Sequence, residues 1–338
     1  MNPLDLHFSS LVLDAHKDIY ELNDRIDSGE EFPLKTTILP RLREAGVDIV
    51  FWAIGGDSWL HSNCTDLRLK GALSNWARFE RQITACDGDV IRVETADEFP
   101  ENPDGKLRIV YGIEGGMPLQ GRLDLLEAFY ALGVRVLQPT WNYRNELADG
   151  ALESGIGGGG LSQFGVQVIQ HMNRLGMLVD LAHITEAGAF DALEVTQEPV
   201  VVSHGNVKTI CPHPRNIGDD LIDAIAELGG CIGVQWSPGR VDRKDPTLER
   251  LVDHIEYIVE RVGIDHVGIG LDKIEFTGVK PPQDTRFSTN EPKTLRGFKD
   301  VRDLPKITAL MSKRGFSDGD VRKVLADNFL RVFKQVTG

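Results

Sequence analysis

Residues 164–204 read FGVQVIQHMNRLGMLVDLAHITEAGAFDALEVTQEPVVVSH, and this stretch decides the fold. Apolar residues recur at helical period in its first segment, FGVQVIQHMNRL, whereas GMLVDL and PVVVS are short apolar runs, as parallel strands covered on both faces are. A histidine, His183 or His204, stands at the end of each run. The stretch therefore predicts a helix and two buried parallel strands, with an imidazole at the carboxyl end of each strand.

The same alternation of short apolar runs and helical periods continues along the chain. Eight runs are predicted as strands, at residues 11–15, 47–54, 107–113, 134–138, 176–181, 199–203, 231–236 and 266–271. Helices are predicted between them, most clearly at residues 124–132, 164–175, 219–228 and 248–262. Strand and helix repeated to eight is the count of a (β/α)8 TIM barrel, an α/β fold. An open doubly wound sheet is the alternative, although no GxGxxG motif follows a strand, as a dinucleotide site would require.

A C-terminal helical extension follows the predicted barrel. Residues 304–336, LPKITALMSKRGFSDGDVRKVLADNFLRVFKQV, predict two helices that break at Arg314 and Gly315, and Ser317 lies where the second would be capped. No internal repeat or linker divides the chain. We therefore expect a single domain over residues 1–338, within the size range of one barrel with insertions.

Composition limits the classes of partner. The formal net charge of -14 and the pI of about 5.1 argue against binding to nucleic acid or to an anionic membrane, since both polyanions would be repelled. The N-terminus has no basic start followed by an apolar stretch, and no run approaches the roughly 18 apolar residues of a membrane helix. Four cysteines without a CxxC pair predict isolated reduced thiols. We therefore expect a soluble cytoplasmic protein, and a homodimer stays open.

Five residues at predicted strand ends have side chains that bind metals: His16, Asp18, Glu114, His183 and His204. Taken singly, each is more often a hydrogen-bonded core histidine or a salt-bridged acid. The carboxyl ends of barrel strands meet on one face, however, so we expect these side chains to lie together. Neutral imidazoles and carboxylates suit zinc, with cobalt, manganese or iron open under the same geometry. Three nitrogen ligands and two carboxylates are enough for two ions that share Glu114.

Other polar residues near strand ends suggest substrate chemistry. Asp272 ends the eighth predicted strand, where its carboxylate could carry a proton to a leaving amine. Arg215 lies in the loop after the sixth strand, and its guanidinium fork matches a substrate carboxylate. His213, two residues earlier, is expected to lie in an exposed loop.

Several of these motifs, in this order, resemble the membrane (renal) dipeptidase family, peptidase family M19, amidohydrolase-like binuclear zinc hydrolases. The motifs are DAHKD (14–18), YGIEGG (111–116), NRLGM (173–177), VDLAHIT (179–185), VVVSHGNVKTICPHPRN (200–216), HVGIGLD (266–272) and VLADNFLRVF (324–333). The resemblance spans nearly the whole chain. It implies a (β/α)8 barrel with two zinc ions that hydrolyses dipeptides, including those with a D-residue at the C-terminal position.

The resemblance also implies a division of the metal ligands between two ions. Matched residue by residue, His16 and Asp18 would hold one zinc ion. His183 and His204 would hold the other. Glu114 would bridge the two ions with its two oxygens.

Outside the metal ligands, the resemblance implies that Asp272 is the acid/base and that Arg215 receives the dipeptide carboxylate. The chain departs from the family pattern after the fourth strand. Many members have Thr-His-Asn there, with the histidine near the scissile carbonyl, whereas this chain has Thr140, Trp141 and Asn142. A tryptophan cannot accept a proton or carry a charge. We predict Trp141 and Asn142 to be substrate-binding residues.

The departure at Trp141 keeps two further functions open beside the zinc dipeptidase. One is a zinc-dependent hydrolase of N-acyl amino acids or other small amides. The other is a metal-binding recognition protein with weak catalysis. The loops 141–160 and 275–299 interrupt the strand and helix pattern, and we expect them to choose the substrate.

Overall fold

Parallel strands organise the molecule, which is described here from a computed structural model covering residues 1–58, 68–153, 159–273 and 292–338. The strands are β1 (Leu13–Asp18), β2 (Ile49–Gly56), β3 (Val90–Arg92), β4 (Leu107–Glu114), β5 (Val134–Gln138), β6 (Leu178–Val179), β7 (Val201–Gly205), β8 (Cys231–Val234) and β9 (Val267–Ile269). They pair in parallel, in the order β1-β2-β4-β5-β6 with β3 beside β4, and in the order β7-β8-β9.

The first seam between the two groups of strands lies between β6 and β7. Asp180 forms a parallel bridge with Val201, and the backbone N–H of Leu181 donates to the Val201 carbonyl at 2.7 Å. The Asp180 carboxylate continues the seam, since its Oδ1 accepts from the N–H of Ser203 at 2.8 Å. A side chain thus replaces part of the backbone ladder at this junction.

The second seam, between β9 and β1, has the same construction. The backbone N–H of Asp272 donates to the His16 carbonyl at 3.3 Å, and Oδ1 of Asp14 accepts from the N–H of Leu271 at 2.8 Å. With both seams joined, β1, β2 and β4 to β9 form the ring of the predicted (β/α)8 barrel. The open doubly wound alternative is therefore wrong.

The helices lie mainly between consecutive strands and cover the ring. They are α1 (Pro3–Ser9), α2 (Tyr20–Asp27), α3 (Leu39–Glu44), α4 (Arg68–Ala85), α5 (Leu123–Ala131), α6 (Gln163–Leu175), α7 (Glu186–Val195), α8 (Asp219–Glu227), α9 (Pro238–Val241), α10 (Leu248–Val262), α11 (Pro305–Lys313), α12 (Asp318–Arg322) and α13 (Asn328–Thr337). The four helices predicted most clearly are α5, α6, α8 and α10, each within one residue of its predicted bounds. Strand β3 escaped prediction because it is three residues long and pairs only with the start of β4.

The C-terminal extension closes the amino end of the barrel. The side chain of Ser317 caps α12 as expected, by accepting from the N–H of Asp320 at 3.1 Å. Farther along, Phe329 and Phe333 of α13 are fully buried and pack against Phe51 of β2, with ring centroids 6.0 and 5.8 Å apart. This end of the barrel is an apolar core.

A backbone carbonyl crosses the barrel interior above this core. The Ser203 carbonyl approaches Gly233 and Gly270 so closely that an added Cβ would lie 2.1 Å from its oxygen at Gly233 and 1.7 Å at Gly270. Only glycine fits at these two positions. Main chain therefore occupies the space that side chains at these two positions would fill.

Candidate active site

The five predicted metal ligands converge at the carboxyl end of the barrel, around the carboxylate of Glu114. Its Oε1 lies 3.1 Å from Nε2 of His183, 3.5 Å from Nε2 of His16 and 3.9 Å from Nε2 of His204. Asp18 Oδ1 lies 3.8 Å from Nε2 of His16. All five residues are buried. Two groups of donor atoms result, His16 with Asp18 and Glu114, and His183 with His204 and Glu114.

An irregularity in β1 turns His16 toward this centre. Between Asp14 and Lys17 the strand has one residue more than the facing part of β2, which makes a β-bulge. Bulges redirect side chains and often lie beside active sites. Oδ1 of Asp14 stabilises the bulge by accepting from the N–H of His16 at 3.2 Å. Lys17 points away from the centre and binds Glu21 at 3.0 Å, as its alternation with His16 predicts.

A second bulge turns His204 in the same way. Strand β7 has one extra residue relative to β8 between Val202 and Gly205. Asp180 holds the bulged backbone through the N–H of Ser203, and the Ser203 hydroxyl lies 2.9 Å from Nδ1 of His204. The two bulged strands thus present their imidazoles face to face, with the rings of His16 and His204 centred 3.9 Å apart.

Two site residues have strained backbones. His183 has a φ of 71° and Asp272 a φ of 50°, in the left-handed region that residues other than glycine seldom adopt. Such strain persists only where the surroundings impose it, and it concentrates at functional sites. Asn142 orients the first of these side chains, because its Oδ1 lies 2.9 Å from Nδ1 of His183. An amide oxygen can only accept a hydrogen bond, so Nδ1 of His183 carries the proton in this contact. The lone pair of Nε2 therefore faces Glu114 and His204.

The electrostatics of the site fit a bound cation. Burial, reinforced by the charge of Arg215, lowers the pKa of His183 well below its usual value. Burial and the charge of His16 do the same to the pKa of His204. Both imidazoles are therefore neutral, yet their Nε2 atoms lie only 2.8 Å apart. Neutral imidazole nitrogens converging on a carboxylate are the donor set that divalent transition metals prefer.

Carboxyl groups are crowded together on the other side of the centre. Burial raises the pKa of Glu114 well above its usual value, and the neighbouring charge of Asp18 raises it further. Burial alone would lower the pKa of His16, but the neighbouring carboxylates of Asp18 and Glu114 raise it to about 10. Buried acids crowded together need a compensating positive charge. A metal cation would supply that charge.

Asp272 lies beside the predicted metal ligands, and the charge of Arg215 acts on the same residues from a different loop. A carboxylate oxygen of Asp272 groups with the ring nitrogens of His16 and His204, all within 4.8 Å of one another. Arg215 is 4% exposed, and its Nε and Nη2 have no hydrogen-bond partner among the described residues. Burial and the charge of Arg240 lower the pKa of Arg215 to about 9. Two donors of a buried guanidinium are therefore available to an anion.

Trp141, at the position where the chain departs from the family pattern, lies beside the predicted metal ligand His183. The Trp141 ring is stacked on His183 with 6.1 Å between centroids and 30° between planes. Its backbone N–H donates to Oδ2 of Asp57 at 3.2 Å. Gly115 makes room for Asp57, since a Cβ there would lie 2.2 Å from the Asp57 carboxyl carbon. The glycine after Glu114 thus allows a neighbouring side chain to approach and fix the Trp141 segment.

The structure corrects and extends the site that the sequence predicted. His213 is buried rather than exposed, because its Nδ1 accepts from the N–H of Arg215 at 3.0 Å. Two residues were missed. Gln138 places Nε2 3.4 Å from Nδ1 of His16, and Arg240 places Nη1 3.2 Å from Oδ2 of Asp272. Gln138 ends the run VRVLQ and shared the signal used for the histidines, whereas no pattern marks Arg240.

Parts of the predicted substrate loops lie outside the described residues. These parts are residues 154–158 of the first loop and 275–291 of the second. Among the cysteines, Cys86, Cys211 and Cys231 are buried thiols, and Cys64 also lies outside the described residues.

A sequence model described as membrane dipeptidase (peptidase family M19) matches residues 4–338. The chain belongs to this family. Dipeptidase verJ from Clonostachys rogersoniana is 31% identical over 346 residues, which cover 96% of this chain and 84% of that protein. The resemblance inferred from the motifs is therefore confirmed, and M19 membership makes the chain a hydrolase that acts on peptide bonds.

Solved structures support the same fold for this M19 protein. A metallo peptidase from Rhodobacter sphaeroides superposes with a TM-score of 0.82 at 24% identity, over 97% of this chain and 99% of that one. A probable dipeptidase, PvdM from Pseudomonas aeruginosa, also reaches 0.82, at 21% identity, over 99% and 97% of the two chains. Despite the family's description, no helix within the described parts of this chain is long and apolar enough to cross a bilayer.

Proposed function

We propose that this M19 protein is a binuclear zinc dipeptidase. The observation that carries the proposal is the position of Glu114, whose carboxylate lies within 4 Å of imidazole nitrogens from both ligand groups. His16 and Asp18 hold one ion in this proposal, and His183 and His204 hold the other. Zinc in such a site supplies Lewis acidity, which polarises a carbonyl and makes water a better nucleophile at neutral pH.

The residues of the chain perform the remaining steps. Arg215 binds the free carboxylate of the dipeptide through its available Nε and Nη2 donors, which fixes the peptide bond over the centre. Water adds to the carbonyl carbon, and the C–N bond breaks. Asp272 accepts the proton of the water and delivers it to the departing amine. Burial raises the pKa of Asp272 above its ordinary value, which suits a group that must both accept and release a proton.

A dipeptide with a D-residue at its C-terminal position is the substrate we favour within this class. The Rhodobacter sphaeroides metallo peptidase carries a phosphinate mimic of the dipeptide L-Ala-D-Ala. The fold is shared, and the carboxylate of either stereoisomer could reach Arg215. The choice between L,L- and L,D-dipeptides is thus a matter for direct comparison.

Trp141 supports a second candidate, a hydrolase of N-acyl amino acids or other small amides. Its indole is stacked on His183 where a titratable histidine is expected, so this wall of the site is apolar and uncharged. An apolar wall tolerates an acyl group in place of a charged amino group. N-acyl amino acids keep the carboxylate that Arg215 would bind.

One screen separates these candidates. Protein stripped of metal and reloaded with zinc is assayed with matched L,L-dipeptides, L,D-dipeptides and their N-acetylated forms, with Asp272→Asn as the inactive control. We expect about two zinc ions per chain and hydrolysis only of substrates with a free amino group. Equal rates on N-acetylated substrates would favour the second candidate. Metal binding without turnover of any of these substrates would contradict both candidates.

A further inference from the structure

Arg240 is a second guanidinium at the proposed active site, and no sequence motif indicated it. It lies in α9, after β8, at the carboxyl end of the barrel. Its Nη1 approaches three acceptors: Oε1 of Gln235 at 2.8 Å, Oγ of Ser237 at 3.0 Å and Oδ2 of Asp272 at 3.2 Å. The side chains of Arg240 and Asp272 are only 16% and 14% exposed, so their pairing is shielded from solvent.

Asp272 lies within electrostatic reach of two guanidinium groups but pairs with one. The negative charge of Asp272 raises the pKa of Arg215. Burial and the positive charge of Arg240 lower it, to a value of about 9. Arg215 nevertheless keeps Nε and Nη2 without partners among the described residues. The charges of both arginines thus act on the same carboxylate, but among the described residues only Arg240 is seen to hydrogen-bond to it.

We infer that Arg240 is a positioning residue that holds Asp272 at the centre and thereby keeps Arg215 available for the carboxylate of the substrate. The inference rests on the proposed function, in which Asp272 transfers the proton and Arg215 binds the substrate. A buried carboxylate needs a cationic or hydrogen-bonding partner. If Arg240 were absent, Arg215 would be the other guanidinium whose charge acts on Asp272, and pairing with it would turn Asp272 away and neutralise the substrate site.

The side chain of Arg240 can be tested apart from the loop that carries it. The Arg240 backbone carbonyl accepts from Nδ2 of Asn216 at 2.8 Å, and the next carbonyl, of Val241, lies 2.9 Å from Nε2 of His254. Both contacts anchor α9 through its main chain. Replacing the Arg240 side chain therefore removes the pairing with Asp272 and leaves these anchors in place.

The experiment compares each dipeptide with its C-terminal amide, which lacks the carboxylate that Arg215 would bind. Zinc-loaded wild type, Arg240→Gln, Arg240→Lys and Arg243→Gln are assayed on both substrates. Arg243 is an exposed arginine of the same loop and serves as the matched control. In Arg240→Gln we expect KM for the free dipeptide to rise about 10- to 100-fold, the effect of losing a hydrogen bond to a charged group. Its preference for the free dipeptide over the amide should largely disappear.

Arg240→Lys should recover part of that preference, because an ammonium can still pair with Asp272, and Arg243→Gln should match wild type. Equal losses of kcat/KM on both substrates in Arg240→Gln, with the preference intact, would overturn the inference and leave a structural role. The wild type tests the proposed function separately. If it cleaves peptide bonds without preferring the free carboxylate, the assignment of Arg215 fails, and the role of Arg240 fails with it.

Discussion

The two ends of the barrel differ in almost every physical respect. At the carboxyl end, buried acids and imidazoles crowd together, and His183 and Asp272 adopt left-handed backbone conformations. At the amino end, Phe51 packs against Phe329 and Phe333 in an apolar core. The carboxyl ends of the strands therefore carry the residues for chemistry, whereas the amino ends carry much of the apolar packing that stabilises the fold. Substitutions at the carboxyl end should therefore lower activity with little loss of stability, and substitutions at the amino end should do the reverse.

The largest effect on activity is expected from His183→Ala. The variant loses one of two imidazoles from its ligand group, so kcat/KM should fall about 1000-fold or more, since a metal contributes several kcal/mol and each 1.4 kcal/mol is tenfold. The metal-free variant should unfold at no lower a temperature than metal-free wild type, because an imidazole crowded by buried polar groups has been removed, while the left-handed backbone at this position is the same in both proteins. Metal analysis, kinetics and thermal unfolding check this. A large drop in the unfolding temperature would break the separation of the two ends.

Phe333→Ala tests the opposite end. The ring is fully buried between α13 and the strands, so its removal should lower the free energy of unfolding by about 3 to 5 kcal/mol. Activity per folded molecule should stay at the wild-type value. Phe190, which is 38% exposed, provides the control, and Phe190→Ala should change stability far less. Denaturant unfolding and kinetics at low temperature measure both quantities. A loss of kcat in the folded protein would show coupling between the ends.

His254 makes the stability of the carboxyl-end loops depend on pH. Its Nδ1 accepts from the N–H of Val207, and burial lowers its pKa from 6.5 to about 4. Between pH 6.5 and about 4, His254 is therefore protonated in the unfolded chain but neutral in the folded chain. The free energy of unfolding decreases as the pH falls through this range. At about 1.4 kcal/mol per pH unit, the loss reaches about 3 kcal/mol. Unfolding free energies from pH 7.5 to 4.5 should show a shallower slope in His254→Gln than in wild type. Identical slopes would contradict this origin.

The smallest effect is expected from Asn142, which orients the predicted metal ligand His183. Asn142→Ala removes the acceptor for Nδ1 of His183, and metal affinity should fall about 10- to 100-fold, as for other groups that orient metal ligands. Asn142→Asp keeps an acceptor oxygen and should retain more of the affinity than the alanine variant. Competition with a chelator measures both. If the two variants lose affinity equally, Asn142 acts through packing or, as the sequence suggested, through the substrate.

The sequence predicted those elements that are in the same environment along their whole length. A barrel strand is buried on both faces, so its apolar run is visible in the sequence, and the strands of the ring were found on that basis. The carboxyl ends of such strands converge by geometry alone, which is why Glu114 and His204 could be predicted to lie together. The family matched on these residues is confirmed. The single-domain organisation, the individual ligand roles and a homodimer stay predictions.

Features that depend on contacts between distant segments were not predictable. The bulges that aim His16 and His204 add one residue to a strand without altering its apolar pattern. His213 is buried by its own loop, which a local pattern of polar residues does not reveal. Arg240 reaches Asp272 across 32 positions of sequence, and an arginine in the run PGRVDRK carries no signal of that contact.

The Ser203 carbonyl, lodged against Gly233 and Gly270, gives the reaction chamber a fixed depth. A floor made of main chain cannot be lowered by trimming side chains, and the two glycines have none to lose. A longer or bulkier substrate must therefore be accommodated sideways, at the rim, where the loops can vary without disturbing the metal ligands. Redesign of this enzyme for larger peptides should begin at Trp141 and leave the strands untouched.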